Sequence, residues 1–194
     1  LKAEVKNLID MNEKLSKDAT NLTKALKGDV KTQGNWGEVI LERILEKSGL
    51  VKDREYYVQN SLTSENGKLY SPDVIIHLPD NKKVIIDSKV SLVAYEKFST
   101  ADDLEEQKSH LKQHIVSIKA HVKGLSDKNY QNLYGVDGLD FVLLFIPIEG
   151  AFSAALQADN SLFQEAFDKN VVLVSTISTF SFFLRKELNQ FLIN

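Results

Sequence analysis

The chain has 194 residues, 43% of them hydrophobic and 26% charged, with a net charge of −3 and no cysteine. That suits one globular domain with an appendage, able to bury roughly 70% of its unfolded surface. The composition excludes disulfide staples and cysteine-based metal sites or nucleophiles, it offers no overall basic footprint, and no apolar run reaches the length of a membrane span. A nucleic-acid partner would therefore be held by local patches. No secretory signal pattern is present, and Leu1 already falls inside a periodic pattern. The sequence thus reads as a piece of a longer chain, whose upstream part would carry any targeting or anchoring segment. The lack of cysteine fits a cytoplasmic location.

Residues 1–28 read as a coiled-coil helix. Leu1, Val5, Leu8, Asn12, Leu15, Ala19, Leu22 and Leu26 recur at alternating spacings of 4 and 3, a heptad seam. Asn12 at an a position favours two parallel strands, so a homodimer or higher oligomer is expected. An amphipathic helix packed on its own domain is the alternative. Gly28-Asp29 breaks the pattern, and 29–194 form the globular domain.

"TQGNWGEVILERILEKSGL" predicts a second helix, capped by Thr32 or Asn35, stopped by Gly49, and buried along Val39, Ile40, Ile44 and Leu45. "REYYVQNSL" reads as a strand and "ENGK" as a turn. Two strands follow over 68–78 and 83–90, joined at Pro79-Asp80-Asn81. A long helix is expected over about 102–128, with Thr100 and Asp103 as a weak capping box. "GLDFVLLFIPIEG" reads as a strand buried on both faces, "GAFSAALQADNSLFQEAFDKN" as two short helices, and "VVLVSTI" as another buried strand. A parallel pair at the end and an antiparallel hairpin in the middle give an α/β fold, a mixed β-sheet flanked by helices.

The long helix carries a buried stripe of Leu111, Ile115, Ile118, Val122 and Leu125. Lys108, Lys112, Lys119 and Lys123 fall on one flank. That row can follow a phosphate backbone, with Lys112, Lys119 and Lys123 as DNA contacts, or it is an ordinary solvated face. His110, His114 and His121 fall on the other flank, as boundary histidines rather than a metal site. Trp36, between Gly34 and Gly37, is either a core anchor or a stacking platform for a base. "GNWG" is not a phosphate loop, because no Gly-Lys-Ser/Thr follows. Glu149 ends a buried strand, where ligand groups collect in α/β sheets.

The chemistry concentrates in "YSPDVIIHLPDNKKVIIDSKV". Side chains alternate along a strand, so Asp87 and Lys89 share a face with Ile85, and Asp73 shares one with Ile75 and His77. Asp73 meets that face only if paired residue numbers sum to an even value, as a three- or five-residue connection or one bulge allows. Two carboxylates and an ammonium there can hold Mg²⁺ or Mn²⁺ through hard oxygen ligands and stabilise charge on a phosphodiester. The alternative is plain: Pro-Asp starts many strands, and a charged pair at a strand end is usually solvated.

"PD" at 72–73 followed by "DSK" at 87–89 matches the PD-(D/E)XK nuclease superfamily. Four longer blocks, "KTQGNWGEVILERILEKSGL", "PDVIIHLPDNKKVIIDSKVSLVAYEKF", "LDFVLLFIPIEGAF" and "LFQEAFDKNVVLVS", together resemble the DNA recombination protein RmuC family over about residues 25–176. The resemblance implies a restriction-endonuclease-like domain behind a coiled coil and a role in DNA recombination or repair by metal-dependent cutting of DNA. It also implies an upstream anchor that would tether the chain to the inner face of the membrane. Carried over by position, Asp73, Asp87 and the first-helix acid Glu38 would be ligands of Mg²⁺ or Mn²⁺, and Lys89 the catalytic lysine. A module of the same fold that binds DNA without cutting is the competing expectation. The sequence departs from the family at "TISTFSFFLRKELNQFLIN", where a Pro-Thr-Thr-type turn and a long helix usually follow.

Overall fold

The computed structural model describes residues 30–59, 62–63, 69–78, 83–88, 92–128, 130, 141–176 and 178–179. The expected coiled coil, the ENGK turn, the Pro79-Asp80-Asn81 connection, Lys89 and the divergent end from residue 180 lie outside the described residues.

Helix α1 spans Val30–Lys47. Thr32 and Asn35 lie inside it rather than ahead of it. Its buried face is Gly37, Ile40, Leu41, Ile44, Leu45 and Ser48, while Val39 is 47% exposed, against expectation. At 100° per residue, positions 37, 41, 44 and 48 cluster, and position 39 falls almost opposite them. The helix stops at Gly49, whose φ of 84° is open to glycine. There the Leu50 N–H reaches back to the Leu45 carbonyl, a Schellman closure.

The strands are β1 (Tyr56–Val58), β2 (Leu62–Thr63), β3 (Leu69–Tyr70), β4 (Val74–His77), β5 (Lys83–Asp87), β6 (Val142–Ile146) and β7 (Val171–Ser175). Five of them form one sheet in the order β1-β4-β5-β6-β7, and β2 pairs with β3 separately. The strand expected over 68–78 is therefore two strands. Pro72 lies between them and has no N–H to give a ladder. β1, β4 and β5 are antiparallel neighbours, whereas β5, β6 and β7 run parallel, which makes the sheet mixed as expected.

Two crossovers supply the other helices. β5 leads through α2 (Val93–Thr100) and α3 (Leu104–Lys128) to β6, and β6 leads through α4 (Glu149–Ala158) and α5 (Leu162–Phe167) to β7. The sequence reading did not anticipate α2. Thr100 ends α2, with its Oγ1 donating to the Glu96 carbonyl at 2.9 Å, so it caps nothing downstream. Asp103 alone caps α3, its Oδ2 accepting the Glu105 and Glu106 N–H groups at 2.9 and 3.0 Å.

The core has two halves, one on each face of the sheet. Ile75, Ile85, Leu144 and Leu173 pack with Ile118, Val122 and Leu125 of α3 and with Ala151, Ala155 and Leu162 of α4 and α5. Val74, Ile76, Ile86, Leu143 and Phe145 pack with Ile40, Leu41, Ile44 and Leu45 of α1. Covered on both faces, every residue of β6 is buried, which is why its sequence is apolar without alternation.

The stripe of α3 shifts slightly from the prediction. Leu111 and Ile115 are half-buried and His114 is fully buried. His110 and His121 stand half-buried at the boundary, but His114 belongs to the core. Its Nε2 lies 3.0 Å from the Ala151 carbonyl, which can only accept, so the ring carries a proton there. Burial pushes the His114 pKa down against the opposing pull of that hydrogen bond.

Candidate active site at the carboxyl edge of the sheet

β5, β6 and β7 are parallel, so Asp87, Ile146 and Ser175 end them at a common edge. Antiparallel β4 begins at that same edge, immediately after Asp73. Ligand groups of α/β folds gather at such carboxyl ends, because the chain there leaves the sheet and its loops are free to vary.

The β4–β5 register decides whether the acids can meet. Val74 pairs with Ile86, Ile75 with Ile85 and His77 with Lys83. The paired numbers sum to an even value, with five residues between His77 and Lys83. One step further along that register sets Asp73 across from Asp87, on the face of Ile75 and Ile85. The even-sum condition for a shared face is therefore met by the register.

Both acids are buried, Asp73 at 3% exposure and Asp87 at 2%. Asp73 Oδ2 accepts the Ser88 N–H at 2.7 Å and the Ser88 Oγ–H at 3.3 Å. These bonds supply the polar partners that a side chain buried away from water needs. Asp87 Oδ2 lies 3.3 Å from Lys128 Nζ, at the last residue of α3. Burial works to lower the Lys128 pKa, but the Asp87 charge and the Tyr130 hydroxyl outweigh it, and the net shift is upward. The Lys128 ammonium also stands 5.5 Å from the centre of the buried Tyr130 ring. Burial raises the Tyr130 pKa in turn.

Glu38 reaches this edge from the other layer. Gly37 sits against the ends of β5 and β6, where a Cβ would lie 3.5 Å from the Ser88 carbonyl oxygen and 3.6 Å from Pro147 Cγ. Glu38 Oε2 accepts from Gln59 Nε2 at 3.1 Å, and the Gln59 backbone N–H donates to the Asp73 carbonyl at 2.9 Å. Gln59 thus ties the helix acid to the strand acid. It does so at φ 51°, a left-handed conformation costing roughly 1–2 kcal/mol for a residue with a side chain. Among the described residues, no three acid or imidazole groups come together around one metal position. Lys89 is outside the described residues.

The other sequence candidates divide. Lys119 is held between Asp159 at 2.9 Å and Glu165 at 2.8 Å, so its charge is engaged by α5 and the turn before it. Lys112 and Lys123 are exposed on the same flank. Trp36 is partly buried and packs against both halves of the core, as the anchor reading expects. Glu149 starts α4 beyond β6 and so stands at the same edge as Asp87. Its Oε2 is buried with no hydrogen-bond partner among the described residues.

Ser88, Gln59, Lys128 and Tyr130 were missed by sequence reasoning. Ser88 is the variable position of the Asp-x-Lys pattern. Lys128 is 41 residues from Asp87 in the chain, and only the packing of α3 on the sheet brings them together.

Comparison with known proteins bears on the whole arrangement. The chain is 55% identical over 175 residues to a DNA recombination protein RmuC homolog of Pseudomonas aeruginosa, covering 90% of this chain and 38% of that protein. It is 52% identical over 172 residues to the homolog of Vibrio cholerae, covering 89% and 34%. It is 48% identical over 172 residues to the DNA recombination protein RmuC of Escherichia coli, covering 89% and 36%. The chain therefore spans about a third of the length of these relatives. The model of the RmuC family matches residues 1–188, nearly all of the sequence, and the chain belongs to that family.

Proposed function

We propose that this chain carries the catalytic domain of a metal-dependent DNA nuclease that acts in DNA recombination or repair. The observation that carries the reading is the pair of buried carboxylates, Asp73 and Asp87, set across from each other at the carboxyl edge of the sheet. Two carboxylates are hard oxygen donors, and a site built on them in a chain without cysteine suits Mg²⁺ or Mn²⁺. Both metals keep several water or phosphate ligands, so two protein carboxylates are a sufficient donor set. Such a cation supplies Lewis-acid polarisation of a phosphodiester.

The chain's own residues do the rest. Asp73 and Asp87 hold the cation, with Asp73 fixed by the Ser88 N–H. Glu38, tied through Gln59, supplies a further carboxylate at the rim. Lys89, next but one after Asp87, contributes the ammonium that orients the attacking water or offsets charge on the phosphate. Lys112 and Lys123 add sequence-independent attraction for the backbone. The names of the relatives support DNA recombination as the setting.

A second reading has its own support. The Asp87 carboxylate is already neutralised by Lys128 and no third acid joins the pair among the described residues. That fits a domain of nuclease-like fold that grips DNA without cutting. Mg²⁺- or Mn²⁺-dependent cleavage of linear, circular and branched DNA separates the two. Cleavage by the parent that disappears in Asp87→Asn and Lys89→Ala is the expected result. DNA binding by all three without cleavage, also when the domain is joined to the flanking segments of a full-length relative, refutes the nuclease.

A further inference from the structure

Lys128 is the feature of this edge that neither the sequence pattern nor the comparisons assign. Its Nζ lies 3.3 Å from Asp87 Oδ2, on a carboxylate that the nuclease reading gives to the cation, and a lysine ammonium within a few ångström repels a divalent cation. The lysine is not locked in place. It is the last residue of α3, its side chain is 35% exposed, and the Tyr130 ring 5.5 Å from Nζ offers an adjacent cationic perch.

We propose that Lys128 is a resident counter-ion of Asp87, a positioning residue that holds this carboxylate before a divalent cation binds and that the incoming cation must displace. This deepens the nuclease reading and rests on its cation site. Without a cation, two buried carboxylates would repel each other and draw in water, and the ammonium at 3.3 Å offsets that charge. With the cation present, the ammonium is repelled from Asp87. It then swings past Tyr130 toward solvent, where an incoming phosphate is the nearest compatible partner. The exchange replaces one positive charge beside Asp87 with two, so Asp87 is never without a positive neighbour and the strands that hold it and Asp73 need not rearrange when the cation arrives.

The test is Mn²⁺ affinity, read as the loss of the free-ion paramagnetic resonance signal, for the parent 194-residue chain, Lys128→Met, Lys128→Gln, Lys128→Arg and Asp87→Asn. Removing the competing charge makes Lys128→Met and Lys128→Gln bind Mn²⁺ about tenfold tighter, the order expected when a like charge leaves a partly solvated site. Lys128→Arg keeps the charge and stays within about threefold of the parent. Asp87→Asn loses binding. A purely structural lysine would give weaker or unchanged binding in the neutral variants, and that outcome overturns the inference while leaving the cation site standing. No Mn²⁺ binding by any variant overturns both. Should Lys128→Met fail to fold, the smaller and more polar Lys128→Gln carries the comparison, and circular dichroism shows which variants are folded.

Discussion

The Asp87–Lys128 pair predicts an asymmetry that can be worked out from its burial. Asp87 has a side-chain exposure of 3%, Lys128 one of 35%. Breaking a fully buried pair by removing one partner costs about 3–5 kcal/mol, and breaking an exposed pair costs about 0–1 kcal/mol. This pair lies between those limits, and which partner is removed decides the cost. Lys128→Met leaves a carboxylate that cannot reach water, so the expected loss is about 2 kcal/mol, or roughly 4–8 °C in Tm for a chain of this length. Asp87→Asn leaves a lysine that can reach water, and it removes a buried charge. Its expected cost is below about 1 kcal/mol, with a gain in stability equally compatible with the argument. In the double variant no buried carboxylate loses its ammonium, so the loss is smaller than for Lys128→Met alone. The assay is urea unfolding followed by circular dichroism at neutral pH with a chelator present, so that no divalent cation takes the ammonium's place. If Asp87→Asn loses as much stability as Lys128→Met, or if the two changes simply add, the charge argument is wrong.

Four further outcomes follow from the same structure. Gly124 is exposed on α3 with nothing within 4 Å of an added Cβ, so Gly124→Ala stabilises by about 1 kcal/mol. Gly150 in α4 faces the Tyr95 hydroxyl, and Gly150→Ala drives the Tyr95 ring off His114, destabilising by about 1–2 kcal/mol. Equal gains for both in thermal unfolding would refute the close packing of α2, α3 and α4. At Gln59, glycine is more stable than alanine by about 1 kcal/mol in urea unfolding, because only glycine adopts φ 51° freely; equal values would mean the left-handed turn carries no strain. Lys119 and Ser161 hold the Asp159 pKa down, to about 2, below its unfolded value. A depressed folded-state pKa means that this contribution is complete above about pH 4 and fades as pH falls toward 2. Asp159→Asn therefore flattens the acid limb of a stability–pH profile in that window, and an unchanged limb would show that the Lys119 ion pairs are not maintained in solution.

Much of this architecture is legible in the residues. The unbroken apolar runs around Val142–Ile146 and Val171–Ser175 announce strands covered on both faces, and the short connecting helices announce that they are parallel. The Gly49 stop, the α3 stripe and the position of Asp73 and Asp87 at strand ends follow from periodicity and turn chemistry alone. Elsewhere the local signal is ambiguous. The segment of α2 is short and apolar enough to pass for a strand ending, and Val39 looks like core until the wheel is fixed by Leu41, Ile44 and Ser48.

The tertiary structure alone decided what surrounds the acids. Which face Asp73 shares with Asp87 turns on the parity of the hairpin register, a matter of loop length that side-chain pattern cannot set. Lys128 comes to Asp87 because α3 packs across the face of Ile75 and Ile85, and Glu38 comes to Gln59 because α1 covers the opposite face. These are contacts between residues far apart in sequence. Such contacts depend on how layers dock, and docking is fixed by the whole core rather than by any stretch of the chain.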